Sequence, residues 1–201
     1  MTNGKLVVIE GIDGSGKSTL IANLVTELTK KGYKAIAHQE PGTTEMGIEL
    51  RKLIKSKIPR SKLTEILMFE ASRSDTVETV LKADLETYDY VIMDRYIDST
   101  TAYQGYGNQN PLETIAILNE IAIGDVKPDY RILLDVDMET AYNRRNIRTI
   151  DTVEHDKFDS NYQFAKRVYD GYQVLVAEGL LTSIPNIELN NTTKQIIKLI
   201  Q

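Results

Sequence analysis

The sequence predicts an α/β fold in which a five-stranded parallel sheet lies between two helical layers, a three-layer αβα sandwich. Two observations predict it. Short apolar stretches alternate from end to end with longer segments of helical period, the pattern of a sheet whose crossovers are helices. Most of those stretches also lack regular alternation, which fits strands buried on both faces better than half-exposed hairpin strands. Ligands of such folds collect beyond the carboxyl ends of the strands, so the residues after each strand carry the functional reading.

Lys5–Glu10 is the first strand. Ser18–Lys31 follows as a helix, with Leu20, Leu24, Val25 and Leu28 on one stripe and Gly32 as its stop. Tyr33–Gln39 is the second strand, followed by a helical stretch carrying Arg51 and a helix carrying Phe69 and Arg73. Asp89–Asp94 is the third strand. Leu112–Ile123 opens just after Pro111 and ends at Gly124, with Ile115, Leu118 and Ile121 facing inward. Asp129–Asp135 is the fourth strand, Phe158–Glu178 a long aromatic-rich helix stopped by Gly179, and Ile184–Leu189 the fifth strand. No internal repeat or linker marks a second domain, so 1–201 reads as one domain.

Composition narrows the chemistry. With 41% hydrophobic and 26% charged residues, the chain falls outside the collagen-like, disordered and membrane classes. Its 24 Lys and Arg against 29 Asp and Glu give a net charge of −5, which argues against a broad grip on nucleic acid while allowing a local basic site. The absence of cysteine excludes disulfides, a thiol nucleophile and zinc sites with sulfur ligands. Only His38 and His155 offer imidazoles, in no metal-ligand spacing, so a reaction without a histidine base is expected. The apolar run Leu6 to Ile9 is too short for a signal peptide or a membrane span, and the cytoplasm is the default location.

Gly11-Ile12-Asp13-Gly14-Ser15-Gly16-Lys17-Ser18-Thr19 lies directly after the first strand and opens the first helix. It satisfies Gly-x-x-x-x-Gly-Lys-[Ser/Thr] in the strand–turn–helix setting that gives the pattern its meaning, a P-loop. The glycines let backbone N–H groups converge on phosphate oxygens, Lys17 reaches the β- and γ-phosphates, and Ser18 ligates Mg²⁺. Bound nucleoside triphosphate follows, but not what receives the phosphoryl group.

The acceptor side shows in the other strand ends. Glu40-Pro41-Gly42-Thr43 follows the second strand. Asp94-Arg95-Tyr96 and then Asp98-Ser99-Thr100-Thr101-Ala102-Tyr103-Gln104 follow the third. Asp94 is placed to hold Mg²⁺ through water, and Arg95 to bridge donor and acceptor phosphates. Arg51 beside a triphosphate site implies a second anion, although Glu49 and Lys52 also permit a surface salt bridge. Phe69 and Arg73 are four apart on one helix face, suited to stacking on a base and donating to its carbonyl. The plainer alternative makes Leu63, Ile66, Leu67 and Phe69 helix core and leaves Arg73 in solvent.

Taken together, these segments, with Asp156-Lys157-Phe158-Asp159 at the head of the long helix, resemble the thymidylate kinase family of P-loop nucleoside monophosphate kinases over nearly the whole chain. The resemblance implies that Phe69 stacks on thymine, Arg73 contacts its O4, Arg51 and Arg95 hold the acceptor phosphate, and Tyr103 crowds a 2′-hydroxyl. It places Ser99, Thr100 and Gln104 beside dTMP, Glu40 at its site, and Asp13 near the acceptor sugar or Mg²⁺. It also implies a short lid at about 143–157 carrying Arg144, Arg145 and Arg148, and a homodimer. Three features depart from the family pattern. Thr43 stands where glycine is usual, Ser99-Thr100 replaces Ser-Ser or Ser-Asn, and no glycine occurs between Gly124 and Gly171.

The reaction implied is transfer of the γ-phosphoryl group of Mg·ATP to dTMP, giving dTDP and ADP. A phosphate monoester, with its second pKa about 6, needs no general base near neutrality. Lys17, Mg²⁺, Arg95 and Asp13 serve the transfer. Arg148 is the first candidate for the charge that some family members supply from the P-loop, where this chain has Ser15. A lid arginine of this kind has a plainer reading as a solvated helix end. Two rivals remain: a deoxynucleoside kinase of similar fold, with Glu40 as base for a sugar hydroxyl, and a P-loop switch ATPase.

Overall fold

Lys5–Glu10 forms β1, and its side chains alternate between two apolar layers, which explains the unbroken hydrophobic run. Val7 and Ile9 pack against one layer, and Leu6 and Val8 against the other. The computed structural model describes residues 4–149 and 162–201. The chain continues through α1 (Lys17–Lys30), β2 (Ala35–Gln39), α2 (Glu45–Lys55) and α3 (Lys62–Thr76). A π-helical turn (Val77–Leu81) then leads into α4 (Lys82–Thr87) and β3 (Tyr90–Asp94). After β3, α5 (Ile97–Thr100) runs into a second π-helical segment (Thr101–Gly107). α6 (Leu112–Ile123), β4 (Tyr130–Asp135), α7 (Met138–Thr149), α8 (Tyr162–Ala177), β5 (Thr182–Pro185) and α9 (Leu189–Ile200) complete the fold.

Among the described residues the five strands form one parallel sheet in the order β2-β3-β1-β4-β5. β1 is central, and its register with β3 pairs Ile9 with Asp94, so the loops after β1 and β3 emerge side by side. One face is covered by α1 and α9 through Leu20, Leu24, Leu28, Ile196 and Ile197. The other is covered by Val77, Leu81, Leu85 and Ile123. α8 adds a third cluster, in which Phe164, Val168 and Tyr172 meet Leu133 and Ala102. No helix among the described residues is long and apolar enough to cross a membrane.

The architecture is as predicted, with shifted details. β2, β3 and β4 begin at Ala35, Tyr90 and Tyr130, slightly later than the sequence indicates. The fifth strand is Thr182–Pro185, not Ile184–Leu189. The Glu188 carboxylate accepts from Asn190 N at 2.9 Å and Asn191 N at 3.0 Å, capping a helix that Leu189 opens. That helix, α9, is hidden in the sequence behind Asn190-Asn191-Thr192-Thr193, all weak helix formers. The bounds of α6 are as predicted, and Ile115 faces inward as expected, but Ile121 does not. Ile115, Asn119, Ala122 and Ile123 are buried, whereas Ile121 is 72% exposed. Of the long helix, Tyr162–Ala177 is seen, and Asp156-Lys157-Phe158-Asp159 and His155 lie outside the described residues.

Candidate active site

The phosphate loop is shaped by close backbone contacts. Gly14 and Gly16 hold φ of 86° and 94°, a region that penalises side chains. A Cβ on Gly14 would also collide with the Ala141 carbonyl oxygen, and one on Gly16 would sit 2.7 Å from Asn186 Nδ2. α2 and α3 are capped by Thr44 and Ser61, which accept from Gly47 N at 2.9 Å and Thr64 N at 3.0 Å. α1 opens at Gly16 with no side-chain cap. The N–H groups of its first turn are therefore left without a side-chain acceptor, as an anion-binding helix end requires. Lys17 Nζ curls back to donate to Gly11 O at 2.9 Å and Ile12 O at 3.2 Å. Burial, reinforced by Arg95, lowers its ammonium to about 8. Thr19 is exposed in the first turn of α1, and Arg144 reaches the loop at Ser15 O, 3.5 Å away.

Ser18 Oγ lies 3.4 Å from Asp94 Oδ2, and the second oxygen, Asp94 Oδ1, is buried without a hydrogen-bond partner. An alcohol and a carboxylate with spare lone pairs at the phosphate loop fit Mg²⁺, which keeps water and phosphate oxygens as its remaining ligands. Among the described residues no group of three or more His, Cys, Asp or Glu could hold a metal without such help.

Beside Asp94, Arg95 occupies the left-handed region at φ 75°, a conformation that a non-glycine residue holds only when its surroundings demand it. Its Nη1 donates to Gly11 O and Ser99 Oγ, both at 3.0 Å, and to Tyr172 Oη at 3.4 Å. Its Nη2 donates to Asp13 Oδ1 at 2.5 Å and Tyr103 Oη at 3.2 Å, and the guanidinium lies 4.9 Å from the Tyr103 ring centroid. Glu10 and Tyr172, which complete this network, are absent from the sequence-derived site. The one available signal is an acid ending a buried strand. Burial, with Asp98 nearby, raises the Glu10 carboxyl above its usual range.

A cleft open at its mouth adjoins Arg95. Asp13, Glu40, Arg51, Phe69, Arg73, Arg95, Ser99, Thr100, Tyr103 and Gln104, named from the sequence as the acceptor set, all line it. Glu49 pairs with Lys52, while Arg51 donates to Pro41 O at 2.6 Å, so Arg51 is held at the cleft instead of in the surface salt bridge. The core-helix alternative for α3 also fails: Leu63 and Leu67 are exposed, and Arg73 is only 2% exposed. Arg73 is the anchor of a buried cluster. Nε donates to Glu40, Nη1 to Glu70 and Asn119, all at 2.8 Å, and Nη2 to Tyr96 O and Thr100 Oγ1 at 3.0 Å. Every one of its five N–H groups thus has a protein acceptor. Burial pushes Glu40 up to about 7 against the pull of Arg73, consistent with two carboxylates sharing one cation. Thr43 costs the loop nothing in backbone freedom: Gly42 takes the left-handed conformation, and Thr43 Oγ1 closes the turn by donating to Gln39 O at 2.7 Å. Arg145 and Arg148 lie outside the residues whose side chains are described.

A phosphate loop facing an arginine-lined second cleft across adjoining strand ends defines a P-loop nucleoside monophosphate kinase. Residues 9–196 match the family model described as Thymidylate kinase. The chain is 38% identical over 176 residues to the thymidylate kinase of Thermoanaerobacter sp. (strain X514), covering 87% of this chain and 85% of that one. It is 36% identical over 197 residues to that of Caldicellulosiruptor saccharolyticus, covering 97% and 93%. The crystal structure of thymidylate kinase from Ehrlichia chaffeensis superposes with a TM-score of 0.77 at 30% identity over 99% of both chains. The chain belongs to the thymidylate kinase family.

Proposed function

We propose that this chain transfers the γ-phosphoryl group of Mg·ATP to the phosphate of dTMP, giving dTDP and ADP for dTTP synthesis. The observation that carries the reading is the pairing of Arg51 and Arg95 at one cleft beside Lys17, positive charge enough for two phosphorylated molecules. The acceptor is mostly dianionic near neutrality, its second pKa being about 6, so positioning and charge stabilisation supply the catalysis.

Lys17 and the α1 N-terminus bind the triphosphate, and Arg95 meets the acceptor phosphate while Asp13 and Tyr103 orient it. Ser18 and Asp94 would hold Mg²⁺, which would supply charge neutralisation at the phosphate oxygens. Phe69 offers its face to thymine. Arg73 reaches O4 only by sharing an N–H already bound within the protein. Lid arginines at 143–157 add the remaining charge. If Arg148 acts as an in-chain arginine finger, Arg148→Ala lowers turnover by about a hundredfold or more with a smaller effect on substrate binding. The enzyme is proposed to act in the cytoplasm as a homodimer.

Measuring ADP release with dTMP, dUMP, dCMP, dGMP and thymidine as acceptors tests the reading. Strong preference for dTMP is expected. Activity on thymidine alone would replace it with the sugar-hydroxyl kinase, which the family relationship does not favour.

A further inference from the structure

Glu10 ends β1 with 0% exposure, and its carboxylate accepts four hydrogen bonds. Oε1 takes Tyr96 N at 2.8 Å and Ser99 N at 3.1 Å, and Oε2 takes Ser99 Oγ at 2.6 Å and Tyr172 Oη at 2.9 Å. A hydroxyl has a single proton to give. With those protons directed at Glu10, Ser99 Oγ and Tyr172 Oη, 3.0 Å apart, turn lone pairs to Arg95 Nη1, whose second proton, the first going to Gly11 O, they share at 3.0 Å and 3.4 Å. The N–H groups on Oε1 belong to the residue directly after Arg95 and to the helix that follows, so the same carboxylate braces the turn in which Arg95 holds φ 75°. Asp98, the other buried acid of this segment, is engaged by Arg131 Nε at 2.9 Å and leaves this task to Glu10.

We propose that Glu10 is a positioning residue for Arg95: without touching either substrate, it fixes both the backbone turn and the hydroxyl orientation that aim the guanidinium. The assignment rests on Arg95 meeting the acceptor phosphate. Glu10 also adjoins Gly11, so a merely structural role would act on the phosphate loop and on Mg·ATP.

Glu10→Gln keeps the shape but replaces one acceptor with an NH₂ donor, which either faces two N–H groups or turns the two hydroxyls toward Arg95. The expected result is a fall in kcat of up to about 100-fold and a raised KM for dTMP, with the KM for Mg·ATP unchanged. In an Arg95→Lys background the same substitution should add less than about twofold, since coupled residues are non-additive. Tyr172→Phe removes one hydroxyl while keeping the ring, and should show the same KM pattern with a smaller loss. It carries the test if Glu10→Gln does not fold, which circular dichroism would show. Effects that multiply in the double variant, or that fall on Mg·ATP, overturn the role of Glu10. An Arg95→Lys variant with normal kinetics would instead remove the reading of Arg95 itself.

Discussion

At Arg73 and Glu40, charge and burial combine in a way that residue types alone do not disclose. Spacing places Phe69 and Arg73 on one face of α3, and both do line the cleft. The partners that saturate Arg73 come from elsewhere: Glu70 from the preceding turn, Glu40 from the end of β2, and Asn119 from α6. Only the folded chain brings them together, which is why Arg73 reads from sequence as a free base contact. The cluster has a pH signature. An acid raised from 4.5 to about 7 in the native state binds protons more readily folded than unfolded. Its contribution to stability is complete below about pH 4.5 and is lost as pH rises through 7. Glu40→Gln removes this dependence. The stability of the parent minus that of the variant should therefore decline by no more than about 3 kcal/mol between pH 4.5 and 8. Urea unfolding at a series of pH values measures it, and a constant difference would mean that Glu40 stays ionised throughout.

At the level of elements, the contrast between α1 and α3 separates a helix end used for binding from one used for stability. Ser61 caps α3 by accepting from Thr64 N at 3.0 Å and lines neither the phosphate loop nor the cleft. Ser61→Ala should cost about 1 kcal/mol of unfolding free energy and leave kinetics unchanged. Gly14→Ala should do the reverse at the site. The methyl group has no room against Ala141 O, so the loop must shift and Mg·ATP binding should be largely lost. Calorimetric titration with Mg·ATP against thermal unfolding of each variant distinguishes the two, and tight binding by Gly14→Ala would contradict the loop geometry. The phosphate loop was legible because glycine spacing is itself the chemistry. The C-terminal segment was not: α9 depends on Ile196, Ile197 and Ile200 docking on the sheet, a tertiary gain that outweighs the poor helix propensity of its first turn.

For the whole molecule, a net charge of −5 coexists with a cleft at which Arg51, Arg73 and Arg95 converge, with Asp13 and Glu40 among them. A second whole-molecule property is the apolar residue left on the outside. α3 packs on both α2 and α6, and these helices expose Met46, Leu53, Leu63, Leu67, Ile117 and Ile121. The inward stripe of α6 does not need Ile117 and Ile121, which are 61% and 72% exposed on the side opposite Ile115 and Asn119. Large apolar side chains left in water on neighbouring helices are what a self-associating surface offers. A two-fold pairing of this face would bury the same residues on both copies. Ile117→Asp with Ile121→Asp should therefore convert a dimer to a monomer in analytical ultracentrifugation. Because neither side chain contributes to the core, each should alter the protomer's own stability by no more than about 0.5 kcal/mol. A parent chain that sediments as a monomer at micromolar concentration would refute the homodimer. A variant that remains dimeric would move the interface to another face.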